Sequence, residues 1–168
     1  VQDNLVALIS KIGEKITIRR SAYLDEENSI NFHYTHTSLK KNIGKLGVVI
    51  SIETKIPKTN ILDLGHKLAM HVAAINPLSI NTNDLDSNIL KKEEEIIKEE
   101  LKNNGKKADI LDKIKKGKLN KFINENTLLN QEWIMDPKKK VKDAIKEYAG
   151  DKTLRVKKFI RYKVGEGV

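Results

Sequence analysis

Residues 60–76, NILDLGHKLAMHVAAIN, decide the fold. Ile61, Leu64, Leu68, Val72 and Ile75 recur at steps of three and four, and Ala69 and Ala73 fill between them. That spacing is the apolar stripe of a helix pressed onto a core, with two small residues that let it lie close to a sheet. Asn60 is placed to cap the first turn, with Asp63 reaching back as in a capping box. Asn76-Pro77 ends the helix, because the residue before a proline avoids helical dihedrals. One helix over 60–76 is therefore expected, with strands from both halves of the chain closing on it.

Upstream, Ser29–His36 alternates cleanly, Ile30, Phe32, Tyr34 and His36 on one face and Asn31, His33 and Thr35 on the other. Leu46–Thr54 does the same, with Val48, Ile50 and Ile52 opposing Val49, Ser51 and Glu53. Between them Ser38–Lys45 reads as a basic loop. Ile16–Leu24 (ITIRRSAYL) is rich in β-formers and predicts a further strand, joined to the next by a turn at Asp25–Asn28. Asp3–Lys11 is helical in period, with Leu5, Val6, Leu8 and Ile9 clustered and Gly13 as its stop.

Downstream, a polar link at Ser79–Ser87 leads into a stretch of different character. Over Asn88–Asn104, Ile89, Leu90, Ile96, Ile97 and Leu101 make a narrow stripe amid charge, with Glu94 and Lys98 in the favourable i,i+4 order. Gly105 stands where a C-cap glycine belongs. A short second helix, Ala108–Lys116, is expected to stop at Gly117, with Leu119, Phe122 and Ile123 making a further turn or two. Residues 91–101 carry five Glu and three Lys, whereas 102–121 carry eight Lys and two Asp. An acidic arm followed by a basic one pairs with itself or with a copy across a two-fold axis. Residues 88–126 thus read as a helical excursion, expected to bury Leu90, Ile97, Leu101 and Phe122 internally or against a second chain. Leu128–Asp136 is short and apolar and holds the only Trp, Lys140–Ala149 is a helix by period, and Thr153–Val164 is a long final strand. In that strand Val156, Ile160, Tyr162 and Val164 are expected on one face and Lys157, Phe159, Arg161 and Lys163 on the other. The order gives an α+β fold: a mostly antiparallel sheet packed with helices, plus a protruding helical excursion.

The 168 residues suit one domain with a real core and one appended element. With 39% hydrophobic and 33% charged residues the chain reads as globular, and no run approaches the roughly 20 apolar residues of a membrane span. No membrane partner is expected. The lack of cysteine excludes disulfides, thiolate metal sites and cysteine catalysis. The net charge of +9 favours acidic partners, although abundant Lys, Asn and Ile also follow from an AT-rich genome. A helical pattern is already running at Val1, and the chain reads as a fragment.

Chemistry is sought and mostly not found. No phosphate loop, dinucleotide fingerprint or nucleophile elbow is present. His66 and His71, five apart, point about 140° from each other on a helix, and His33 and His36 occupy opposite faces of a strand. Each reads as a structural or surface residue. Arg19, Arg20, Lys40, Lys41, Lys157, Lys158, Arg161 and Lys163 offer a basic sheet face, but at 5% aromatics the stacking platform of a single-strand binder is lacking. An interaction module is the reading that remains, with a basic RNA- or ribosome-binding module as the alternative and nucleic acid disfavoured as a partner.

Several stretches in order resemble elongation factor Ts, the bacterial and organellar nucleotide-exchange factor for the GTPase elongation factor Tu. They are KIGEKITIRR from Lys11, Tyr34-Thr-His36, AMHVAA from Ala69 with Asn76-Pro77, GKLNKF from Gly117, Leu129-Asn-Gln131, Met135-Asp-Pro137, and Phe159-Ile-Arg161 leading to VGEG from Val164. The resemblance implies an exchange factor with no bond chemistry of its own and no cofactor, catalytic residue or metal. It implies contact with Tu through Ile12, Gly13, His36, Ile134 and Met135, and dimerisation through 88–126. The family's core would comprise 1–87 and 127–168, with 1–12 a remnant of its N-terminal half. That half, with the Thr-Asp-Phe-Val wedge, and the ubiquitin-associated-like module are missing. The setting implied is bacterial cytoplasm, mitochondrion or plastid. Three departures stand out: a longer loop at Thr37–Lys45, Lys107 in place of a proline, and Trp133 where Phe is usual.

Overall fold

The computed structural model describes residues 1–102 and 108–167. Helix α2 (Lys58–Ile75) lies against a three-stranded antiparallel sheet of order β1 (Ser29–Lys40), β2 (Ile43–Thr54), β5 (Leu154–Lys163). Ile61, Leu64, Leu68 and Val72 are all buried on that contact, each contributing roughly 2 kcal/mol of apolar burial. They meet Phe32, Leu46, Val48, Ile50, Ile52 and Val156 from the sheet. The small residues are Gly65, Ala69 and Ala73, at steps of four. Ala69 is fully buried, and Gly65 rests directly on the Phe32 ring: a methyl there would reach Cδ2 of the ring at 2.5 Å. Gly65, unmarked in the sequence reading, is where the helix meets the Phe32 ring with no room for a side chain.

The ends of α2 differ in part from expectation. Pro57 precedes the first turn, so the helix starts before Asn60, whose N–H already bonds to the Pro57 carbonyl at 2.9 Å. Asp63 makes no capping box; it accepts from Lys67 Nζ and from Tyr148 Oη, both at 2.6 Å. Asn76 closes the helix in the left-handed conformation, φ 54°. Ile75 leaves the buried stripe and instead lines a groove of about 670 Å³ with Gly117, Asn120 and Lys121.

Three corrections concern the strands. Residues 16–24 form no strand; both sides of β2 are taken by β1 and β5, and the segment crosses the outer sheet face. It is tied there by Asn31 Nδ2 to the Leu24 carbonyl (2.9 Å) and by Arg20 over the Tyr162 ring. The basic loop at 38–45 is a tight extension of the hairpin, turning at Asn42 with φ 62°. The faces of β5 also change: Ser51 pairs with Lys158 but Ile52 with Val156, so Lys157 is an extra residue, a β-bulge. The bulge flips the alternation, putting Val156, Phe159 and Arg161 on the helix side and Ile160 and Tyr162 on the other.

Helix α3 (Ser87–Leu101), capped by Asp86, packs on α4 (Ala108–Asn126). The acidic and basic arms meet in the ion pairs Glu94–Lys115 (3.4 Å) and Glu100–Lys118. Gly117 does not stop α4, which runs on to Asn126 as one helix because a lone glycine weakens a helix without breaking it. Gly105 and Lys107 lie outside the described residues. Ile97 and Leu101 are buried yet lie outside the main core cluster; Leu90 and Phe122 are half-buried. Where the chain leaves and re-enters the main body, Ser79 and Thr127 form a parallel bridge, flanked by Leu78 N–H to the Asn126 carbonyl and Leu128 N–H to the Ser79 carbonyl. Beyond it come β3 (Glu132–Trp133), β4 (Asp136–Lys140) and α5 (Val141–Ala149), whose Val141, Ala144 and Ile145 are buried.

Candidate partner-docking surface

The expected contact residues occupy three separate tips. Ile12 and Gly13 end α1 (Gln2–Ile12), a helix none of whose residues is buried. Ile12 is 47% exposed. Gly13 takes φ 74° and bonds back to the Ile9 carbonyl at 2.8 Å, a left-handed C-cap that a side chain would strain. The close-approach argument for Gly13 finds no wall within the chain itself: a Cβ there meets nothing within 4 Å.

His36 sits exposed on β1, opposite Leu46, with its Nδ1 3.0 Å from Tyr34 Oη. Thr37 follows with φ 50°, costly for a β-branched residue, just before the β1–β2 register shifts between Ser38 and Lys40. Beyond it the hairpin end presents Leu39 and Ile43 to solvent beside Lys40 and Lys41.

Ile134 and Met135 are the two turn residues between Trp133 and Asp136. Ile134 is half-buried and Met135 is 40% exposed. Neither residue has positive φ, so the turn is not one of the primed types that match strand twist, and the ladder holds only two pairs. Support comes from outside. Trp133 stacks on His71 of α2, centroids 5.4 Å apart, and the Ile134 N–H reaches His71 Nδ1 at 3.4 Å. His71 Nε2 lies 2.9 Å from Gln131 Oε1, and Gln131 Nε2 donates to the Glu125 carbonyl at 2.7 Å. His71 and Gln131 are both buried, and burial lowers the pKa of the imidazole, partly opposed by the bond to Gln131. Sequence reading took His71 as structural; its tie to the turn was not visible.

The other unforeseen cluster is at the C-terminus. Glu166 accepts from Arg161 Nη1 at 2.7 Å and lies 3.7 Å from Arg20, while Arg19 donates to the carbonyls of Glu166 and Gly167. The Arg161 bond, with Arg20 nearby, lowers the Glu166 pKa. These bonds fix the segment that runs on from Gly13. Among the described residues no hydrogen bond or ion pair joins the three tips, and no cluster of three His, Asp or Glu residues is arranged to hold a metal ion. No described helix is long and apolar enough to cross a membrane.

A family model described as "Elongation factor TS" matches residues 1–166. Elongation factor Ts of Zymomonas mobilis is 35% identical over the whole chain, which covers 55% of that protein. Elongation factor Ts of Caulobacter vibrioides is 38% identical over the whole chain and 54% of its own length, and that of Bartonella tribocorum 38% over 95% and 53%. The chain spans about half the length of the curated relatives it matches. A match running from the exposed α1 through the helical hairpin to the Glu166 turn leaves one assignment: the chain belongs to the elongation factor Ts family.

Proposed function

We propose that this chain is the Tu-docking and helical-hairpin part of a guanine-nucleotide exchange factor of translation elongation. The observation that carries the reading is the family match over residues 1–166, supported by exposed apolar residues at the tips the family resemblance nominates. Ile12, Met135 and the half-buried Ile134 are apolar anchors, the kind of residue that makes the core of an interface. The mechanism needs no bond chemistry. A factor that binds the nucleotide-free GTPase more tightly than the GDP-bound form lowers GDP affinity by the same ratio.

Residues 88–126 form the dimerisation excursion in this reading, and 1–87 with 127–168 form the core. The Ser79–Thr127 bridge and the burial of Ile97 and Leu101 outside the main core cluster support that division. The basic-module alternative is not favoured: Lys158 pairs with Glu26, Lys157 with Glu53, and Arg20 and Arg161 with Glu166, so half of the eight cations of the basic face already meet a carboxylate.

The test is a titration of fluorescently labelled elongation factor Tu–GDP with this chain and with a full-length bacterial elongation factor Ts. Binding with little acceleration of GDP release is expected, because the Thr-Asp-Phe-Val signature that the resemblance makes the wedge does not occur in these 168 residues. Release at the full-length rate shows the wedge to be dispensable, and no binding by the folded chain shows the docking surface to be wrongly placed.

A further inference from the structure

Resting on that docking reading, we infer that His71, bound through Nδ1 to the Ile134 N–H and through Nε2 to Gln131, is the positioning residue that sets the Ile134–Met135 turn. The tautomer follows from the bond chain. The Glu125 carbonyl can only accept, so the Gln131 amide nitrogen points at it and Oε1 faces the imidazole. The imidazole therefore donates from Nε2, which leaves Nδ1 as the acceptor the Ile134 N–H requires.

The turn needs this. Its two-residue loop lacks positive φ, its ladder is two pairs long, and three residues of β4 have no partner between Asp136 and Lys140. Trp133, stacked on the imidazole, fixes the near side of the turn, and Nδ1 fixes its first residue. Met135, the exposed anchor, comes next in the chain. Only a neutral imidazole does this: protonation puts a proton on Nδ1, facing the Ile134 N–H donor to donor. From the elements packed on the imidazole, the polar partners are Gln131 and the Ile134 N–H, both uncharged. The carboxylates flanking them, Glu125 and Asp136, are paired with Lys121 and Lys139. On α2 itself, His66 lies beside His33 and Lys67 is bonded to Asp63.

Two substitutions separate the imidazole nitrogens. His71→Asn keeps an acceptor near the place of Nδ1 and loses the donor to Gln131. His71→Gln keeps the donor near the place of Nε2 and loses the acceptor. The readouts are the hydrogen-exchange protection factor of the Ile134 amide by NMR, affinity for labelled elongation factor Tu, and thermal stability of the 168-residue chain. Expected is protection retained in His71→Asn and lost in His71→Gln, with affinity following protection and weakened about tenfold in His71→Gln, as for one lost buried bond. In the unaltered chain protection should fall as the pH drops through the folded pKa of the imidazole, which burial holds below its usual value, while in His71→Asn it should not. A protected Ile134 amide in His71→Gln, or the same pH profile in both proteins, overturns the inference. If the unaltered chain does not bind Tu, the docking reading fails, and the exchange data still decide what His71 holds.

Discussion

Replacing Gly65 by alanine tests the helix-on-sheet contact where the helix meets the Phe32 ring. Taken as a helix position alone, the change should stabilise by about 1 kcal/mol, because glycine is the weaker helix former. The packing says otherwise. The new methyl would lie no more than 2.5 Å from three carbons of the Phe32 ring, where ordinary contact begins at 3.4 Å, so helix or ring must move by about 1 Å. Phe32 is 2% exposed, and its strand is held in register by the Phe32–Ile50 pair. Overpacking of that kind costs about 1–3 kcal/mol, and expelling the ring forfeits roughly 3–5 kcal/mol. Set against the helix gain, the overpacking route leaves a net expected loss of about 1 kcal/mol, or roughly 3 °C in Tm for a chain of this length. Urea unfolding of four proteins reads it: the unaltered chain, Gly65→Ala, Phe32→Leu and the double variant. In the Phe32→Leu background the alanine should become neutral or stabilising, giving a coupling of at least about 1 kcal/mol. A higher midpoint for Gly65→Ala with Phe32 present refutes the close approach.

Gly117→Ala is the complement: its Cβ would meet nothing within 4 Å on α4, so the same substitution should raise stability by about 1 kcal/mol, read by urea midpoint. Replacing Ile97 and Leu101 together by Asp should remove the helical signal of 87–126 by circular dichroism and leave the sheet amides protected from exchange, since the two side chains lie outside the main cluster. Met135→Ala combined with His36→Ala should weaken binding to elongation factor Tu by about 1–4 kcal/mol if the pair is a hot spot, measured by calorimetry. Acid should loosen the C-terminal turn. Glu166 has a folded pKa below its usual 4.5, so its contribution is complete above that value and disappears as the pH falls through the folded pKa; Glu166→Gln should flatten the acid limb of the stability curve.

Sequence carried the helix at 60–76 and the strands at 29–36 and 46–54, because one-sided burial writes a period of 3.6 or 2 directly into the residues. It failed where partners, not periods, decide. Ile16–Leu24 has the composition of a strand, but β-propensity measures fit to a pleated surface and says nothing of a vacant ladder edge beside β2. In β5 the single extra residue Lys157 exchanges the two faces, and no side-chain pattern announces a bulge. Of the proposed docking surface, the family resemblance nominated the tips, but not what holds them. His71 and Ile134 are 63 residues apart, and Arg19 and Glu166 147 apart, and such pairings exist only once the fold brings them together.

The parallel bridge at Ser79 and Thr127 makes the helical hairpin a graft rather than a link. Both ends of roughly fifty residues are clamped within one strand spacing of each other, about 5 Å. The main body therefore sees the same two anchored ends whatever the length of the arm between them, and closure entropy grows only with the logarithm of that length. An arm mounted in this way can be lengthened, shortened or exchanged for another binding element while α2 and the sheet keep their packing. A change of arm at this joint leaves Ile12, His36 and Met135, all outside the bridged segment, on the elements that carry them now.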